Sequence, residues 1–187
     1  MFSILKSPSL FFANFKFDSK NTQTLLIGTA CLCFGIFAES STQILLTSVA
    51  SNFKPLLDLV PAAQLELVRK EAFLSLVSSP VIAFFGIYLF AGALHLTLKA
   101  FSFSGKQNLR YETTLHLVSL CQIPMLFSAV PVFGPIVASI WVLVLLMKGL
   151  TEVYGLSNLV AFASILPPAL FLKLSWNSAL QLLALSV

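Results

Sequence analysis

Six titratable side chains fall at spacings that could carry acid–base chemistry: His95, Lys99, Glu112, His116, Lys148 and Glu152. The members of each pair, His95 with Lys99, Glu112 with His116 and Lys148 with Glu152, are four residues apart and so share one face of a helix. A proton relay built from them would need a histidine beside an acid in a water-accessible cleft. Interfacial histidines give the same spacing without a cleft, and the pattern favours that plainer arrangement. Glu152 poses the sharper question. It follows an apolar run, one turn from Lys148, with Gly149 and Gly155 leaving backbone space around it. Exposed at a helix boundary, it would pair loosely with Lys148 for under about 1 kcal/mol. Folded beneath a bundle, it would need His95, Lys99 or His116 as partner and would lock three helix ends together. The boundary arrangement is the expectation.

Other chemistries find less support. A zinc site from His95, His116 and cysteines is disfavoured, because Cys31 and Cys33 project about 200° apart on a helix. Cys31, Cys33 and Cys121 all lie in apolar runs, an odd number with no partners in loops, so no disulfide framework is implied. No GxSxG, HExxH, glycine-rich phosphate loop or carboxylate pair at membrane depth occurs. These residues predict a protein that is not an enzyme and that holds no cofactor and no metal.

The elements that must position these residues belong to a bilayer. Apolar residues make up 58% of the 187, charged residues 10%, and the mean hydropathy is +0.95, far too little charge to coat a soluble globule of this size. The net charge of +4 is dispersed between apolar runs rather than gathered into a patch, which excludes a nucleic-acid partner. The expected fold class is all-α: an integral membrane bundle of five transmembrane helices with an N-terminal interfacial arm.

Residues 1–21 form that arm, with Lys6, Lys16 and Lys20 set between aromatics and no signal-peptide pattern. Phe11, Phe12, Phe15 and Phe17 are expected among acyl chains while the lysines stay with the headgroups, holding the arm flat on the cytoplasmic face. Residues 22–187 form the membrane domain, with spans at about 22–43, 72–98, 113–132, 136–150 and 159–185. In the first span Gly28, Cys31, Gly35, Ala38 and Thr42 recur at steps of three and four, a small-residue face suited to close helix packing. Residues 51–71 are the only long mixed-charge stretch. From Ala62 they turn amphipathic and are expected to lie in the outer interface before turning into the second span.

Prolines punctuate the spans. Pro80, Pro124, Pro131, Pro167 and Pro168 are expected to kink or break helices, and Phe133, Gly134 and Pro135 join the third and fourth spans in a tight hairpin. Broken helices can line a substrate path in transporters. Yet no inverted repeat is visible and no charge lies near mid-bilayer, which argues against ion-coupled transport. With the N-terminus inside, seven cations (Lys6, Lys16, Lys20, Lys99, Lys106, Arg110 and Lys148) face the cytoplasm and four (Lys54, Arg69, Lys70 and Lys173) face out. Five spans then leave the C-terminus outside.

Several quoted stretches carry a resemblance. Gly92-Ala93-Leu94-His95-Leu96 with Lys99, Phe101 and Gly105-Lys106, then Pro124 with Ala129-Val130-Pro131-Val132-Phe133-Gly134, follow in order. Trp141 and Lys148-Gly149-Leu150-Thr151-Glu152-Val153-Tyr154-Gly155-Leu156-Ser157 come next, and Ser7-Pro8 with Phe11-Phe12 opens the chain. This order resembles the Yip-domain family of multi-span membrane proteins and covers roughly two thirds of the residues. The resemblance implies a helical membrane protein of prokaryotic type, set in the plasma (inner) membrane. It does not carry over the Rab-GTPase association of eukaryotic members, whose hydrophilic N-terminal region is missing. Two departures stand out. Leu120 replaces a frequent tyrosine and Tyr154 a common histidine, so a polar contact inside the bundle is expected to be lost. The reading that results is a non-enzymatic, membrane-organising or partner-binding scaffold, with membrane lipids and a membrane-protein partner or second copy as its contacts. The alternative is a small transporter, channel or lipid scramblase that uses the proline-broken helices.

Overall fold

The computed structural model describes residues 3–14, 22–51, 62–101 and 109–186, with side chains as far as Leu172. Two short helices open the chain, α1 (Ser3–Lys6) and α2 (Pro8–Asn14), followed by α3 (Thr22–Ala50) and α4 (Ala62–Phe101). Then come α5 (Tyr111–Leu120), a 3-10 segment (Ile123–Ala129), α6 (Gly134–Tyr154) and α7 (Asn158–Ser186). The described chain is all-helical. Thr22–Ala50, Ala63–Phe101 and Gly134–Tyr154 are long and apolar enough to cross a membrane, and the apolar stretch Asn158–Leu172 is shorter. The arm residues Phe15, Phe17, Lys16 and Lys20, the loop residues Lys54 and Lys106, and the side chains of Lys173 and Trp176 lie outside the description.

Both α3 and α4 are longer than a bilayer requires. The 29 residues of α3 and the 40 of α4 rise about 43 and 60 Å against a hydrocarbon layer of about 30 Å. Residues 62–71 do not lie apart in the interface; they are the opening turns of α4 itself. No glycine or proline falls between Ala62 and Ser79, and the Ala, Leu, Glu, Arg and Lys there are strong helix formers, so nothing makes the chain turn before the span. Polar residues inside α3 satisfy themselves. Thr29, Thr42, Thr47 and Ser48 donate to carbonyls one turn back at 2.7–2.9 Å, and so need no partner in lipid.

At Pro80 the helix continues. The missing N–H orphans the Leu76 carbonyl, and the Ser79 hydroxyl donates to that same oxygen at 2.9 Å. The Cys33 thiol of α3 reaches the Ser79 oxygen at 3.8 Å, tying the repair to the neighbouring helix.

The third segment departs most from a regular span. Instead of one helix over 113–132, α5 stops at Leu120 and the chain tightens into the 3-10 segment. Pro124 has no N–H for the Leu120 carbonyl and its ring clashes there, which ends the α pattern. The bonds that follow reach three residues back, from Met125 N–H to Gln122 (2.9 Å) and from Val130 N–H to Phe127 (3.0 Å). The hairpin turns at Val132, whose φ of 68° is unusual for a β-branched residue, with Phe133 N–H donating to the Pro131 carbonyl at 2.8 Å in a γ-turn. Gly134 then starts α6 where a Cβ would lie 2.1 Å from the Phe127 carbonyl, so only glycine fits.

α5 is the centre of the bundle, buried on every side from Thr114 to Leu120. The small-residue side of α3 meets it. A Cβ on Gly28 would come within 2.3 Å of the Ser119 carbonyl, and one on Gly35 within 2.9 Å of the Met125 side chain. Cys31 is buried between them, and Ala38 is half-buried. This side of α3 is therefore filled from within the chain. α4 packs against α3, α5 and α7, while α6 packs against the 3-10 segment, α2 and α7. The core of Ile4, Phe12, Leu94, Leu98, Leu117, Leu145 and Leu150 gathers near the arm.

The arm packs into this core. Phe12 does not sit in acyl chains but is buried in the protein, its ring within 3.3 Å of where a Gly149 Cβ would stand, and Ile4 is fully buried. Phe11 meets Phe12 edge-on with centroids 5.5 Å apart. Gly149 gives the ring a bare patch of α6 to cover, a better-packed setting than fluid lipid.

Candidate functional site

The chemistry-bearing residues meet at the arm end, where α4 finishes, α5 starts and α6 finishes. His95 faces inward from α4 on the side that carries the buried Ala91, Leu94 and Leu98. Its Nδ1 lies 3.3 Å from the Thr114 hydroxyl of α5, which lies 2.8 Å from the Tyr154 hydroxyl of α6. With the imidazole proton on Nε2, Tyr154 donates to Thr114 and Thr114 donates to Nδ1; a proton on Nδ1 reverses the order. Tyr111 closes the outer side, meeting His95 edge-on at 5.8 Å and donating its hydroxyl to the Tyr88 carbonyl at 3.2 Å. Three helices are thus joined by one chain of hydrogen bonds.

A fourth helix joins one turn away. The Thr97 hydroxyl sits 2.8 Å from its own Leu94 carbonyl and 2.9 Å from the Ser164 carbonyl of α7. Ser164 is the residue whose carbonyl Pro168 leaves without its helical N–H. Pro167 and Pro168 lie within α7, which continues through them, so the break that proline would cause is covered by a neighbouring hydroxyl.

Of the six residues singled out by spacing, His95 alone is in this chain of bonds. His116 is buried, but it lies two residues from Thr114, about 200° around α5, and faces different neighbours. Lys99 and Glu112 are exposed, and Lys148 is half-buried. α6 continues to Tyr154, where Gly155 ends it in the left-handed conformation (φ 63°), so Glu152 is a helical residue rather than one beyond the span. Its side is exposed while Tyr154, two residues on, is buried. Tyr154, not Glu152, reaches under the bundle. The contact expected to be lost at Tyr154 is present, with Thr114 as its partner.

Spacing singles out neither Thr114 nor Tyr154. Threonine is common in membrane helices, where it bonds to its own backbone, and its spacing gives no signal; the unusual tyrosine at 154 was the one mark available. Chemically the arrangement is closed. Thr114 is fully buried and its oxygen is shared by two side chains, which denies a substrate the approach that a nucleophile needs. Among the described residues no three His, Cys, Asp or Glu side chains gather as a metal would require. Cys31, Cys33 and Cys121 are free thiols.

The family model of the Yip1 domain matches residues 2–176, nearly the whole chain. No curated protein and no solved structure matches it.

Proposed function

We propose that this chain, which belongs to the Yip1 domain family, is a membrane-organising or partner-binding scaffold rather than an enzyme. The observation that carries the reading is the buried bond chain His95–Thr114–Tyr154, which commits the reactive side chains of the arm end to holding helices together. Elsewhere the outer face carries apolar and aromatic side chains. Phe84, Phe85 and Leu89 of α4 are exposed, and so is Phe133 at the hairpin tip, at 70% of its surface. Faces of this kind contact lipids or the helices of another membrane protein.

The transport alternative gains less. A substrate path through broken helices needs free backbone carbonyls along a cavity. Here the Leu76 and Ser164 carbonyls, freed by Pro80 and Pro168, are taken by Ser79 and Thr97. Five crossings and a prokaryotic plasma membrane complete the proposal, with the N-terminus inside on the seven-to-four bias of cations towards that side.

The experiment is flux through liposomes that hold the purified protein, with ions and fluorescent lipids assayed side by side, together with photo-crosslinking from position 85 in native membranes. The scaffold predicts no flux and a discrete protein adduct. Flux abolished by Glu152→Gln in folded protein would replace the scaffold with a transporter or scramblase.

A further inference from the structure

Two flanks of the bundle match bilayers of different thickness. The bonds among His95, Thr114 and Tyr154 hold α4 and α6 at one level at the arm end. From that level Lys99 stands four residues, about 6 Å, further out along α4, whereas Lys148 of α6 stands six residues, about 9 Å, inside it. At the other end α4 meets no Asp, Glu, Lys or Arg until Glu71, while α6 is already over at Gly134.

The charge-free lengths differ accordingly. Residues 72–98 of α4 are 27 in number and rise about 40 Å, whereas residues 134–147 of α6 are 14 and rise about 21 Å. Against a hydrocarbon layer of about 30 Å, one run is too long and the other too short. Leaning the whole bundle does not reconcile them, because the tilt of about 40° that fits α4 to the layer shortens the reach of α6 as well.

Both runs present side chains to lipid. Val77, Val81, Phe85 and Leu89 are exposed along α4, and Ile136, Val137 and Ile140 along α6. α4 packs on α3, whereas α6 packs on the 3-10 segment and α2, so these residues belong to different flanks. The tip of the short flank offers nothing to water: residues 130–135 carry no polar side chain, and Val132 and Phe133 are exposed. A short apolar run with no polar tip to reach the headgroups is met by thinner lipid. We infer that the bundle sorts phospholipids by acyl length, seating short chains against α6 and its hairpin and long chains against α4, and so thins the bilayer on one flank. Such sorting needs neither a protein partner nor the absence of flux, so it and the scaffold role fail separately.

The test is tryptophan quenching in vesicles where brominated phosphatidylcholines, with chains of about 14 to 22 carbons, compete against one unbrominated phosphatidylcholine. In the full chain carrying Trp141→Phe and Trp176→Phe, Ile140→Trp reads the short flank and Phe85→Trp the long one; both positions are exposed, so folding is not at stake there. At position 140 the shortest chains should be preferred over the longest about threefold, and at position 85 the order should reverse. Lys148→Leu extends the charge-free run of α6 to 18 residues, about 27 Å, and should move the preference at position 140 towards longer chains while leaving position 85 unchanged. The same preference at both positions, or a preference at position 140 indifferent to Lys148→Leu, would overturn the sorting.

Discussion

Three glycine-to-alanine substitutions form a graded test of the packing. At Gly28 the added Cβ would stand 2.3 Å from the Ser119 carbonyl oxygen and 2.7 Å from two further backbone atoms. Backbone cannot rotate away, so α3 and α5 must part by about 1 Å. Overpacking of this kind costs about 1–3 kcal/mol, and a rigid neighbour puts it at about 2–3. Alanine returns about 1 kcal/mol in helix propensity, leaving a net loss of about 1–2. At Gly149 the nearest atom is the flexible end of Leu117 at 2.6 Å; its rotation costs about 1 kcal/mol, and the propensity gain offsets that. At Gly92 nothing lies within 4 Å, so alanine should leave stability unchanged or raise it by up to about 1 kcal/mol. Unfolding of the three variants by dodecyl sulfate titration in mixed micelles, followed by circular dichroism, measures the series. Gly28→Ala matching the parent, or Gly92→Ala losing as much as Gly28→Ala, would refute the close approach of α3 and α5.

Thr114→Val takes the shared hydroxyl from His95 and should cost about 1–3 kcal/mol in the same titration, with Thr114→Ser recovering most of it. Phe12→Ala opens the contact over Gly149 and should cost about 3 kcal/mol and speed proteolysis at the arm, whereas an arm lying in lipid would show no change in core stability. Ser128 is fully buried with no hydrogen-bond partner for its hydroxyl among the described residues, so Ser128→Ala should cost nothing or stabilise by up to about 1 kcal/mol. Cysteines placed at Gln64 and Arg110, both exposed at opposite ends of the bundle, should react with an impermeant thiol reagent from opposite sides of the membrane; reaction from one side would rule out a spanning α4.

Much of the helical order is legible in the residues, because apolar length alone identifies α3, α4 and α6. Gly28 and Gly35 also announce a close contact, seven residues apart on one side of α3. What hid was anything that depends on a partner. The end of α5 could be read from Pro124, but not that the chain would carry on as a 3-10 turn, since that rests on packing against α3 and α6. The destination of Phe12 was invisible for the same reason: an aromatic in a basic leader fits lipid and protein alike until Gly149 is seen beneath it. Thr114 illustrates the general limit. Short hydroxyl side chains bond to their own backbone by default, and only three-dimensional proximity to His95 and Tyr154 gives this one a second use.

The 3-10 segment bears on how the protein is made. An α-helix can enter lipid alone because its backbone is satisfied within itself. The stretch from Leu120 to Phe133 cannot, with Pro124 and Pro131 interrupting its ladder and the bonds from Met125 and Val130 closing only isolated 3-10 turns. It needs α3 beside it, where Gly28 and Gly35 meet Ser119 and Met125, and α6 behind it, where Gly134 meets Phe127. α6 is the last of these to be synthesised, so the segment gains its full cover only once the chain beyond Gly134 has been made.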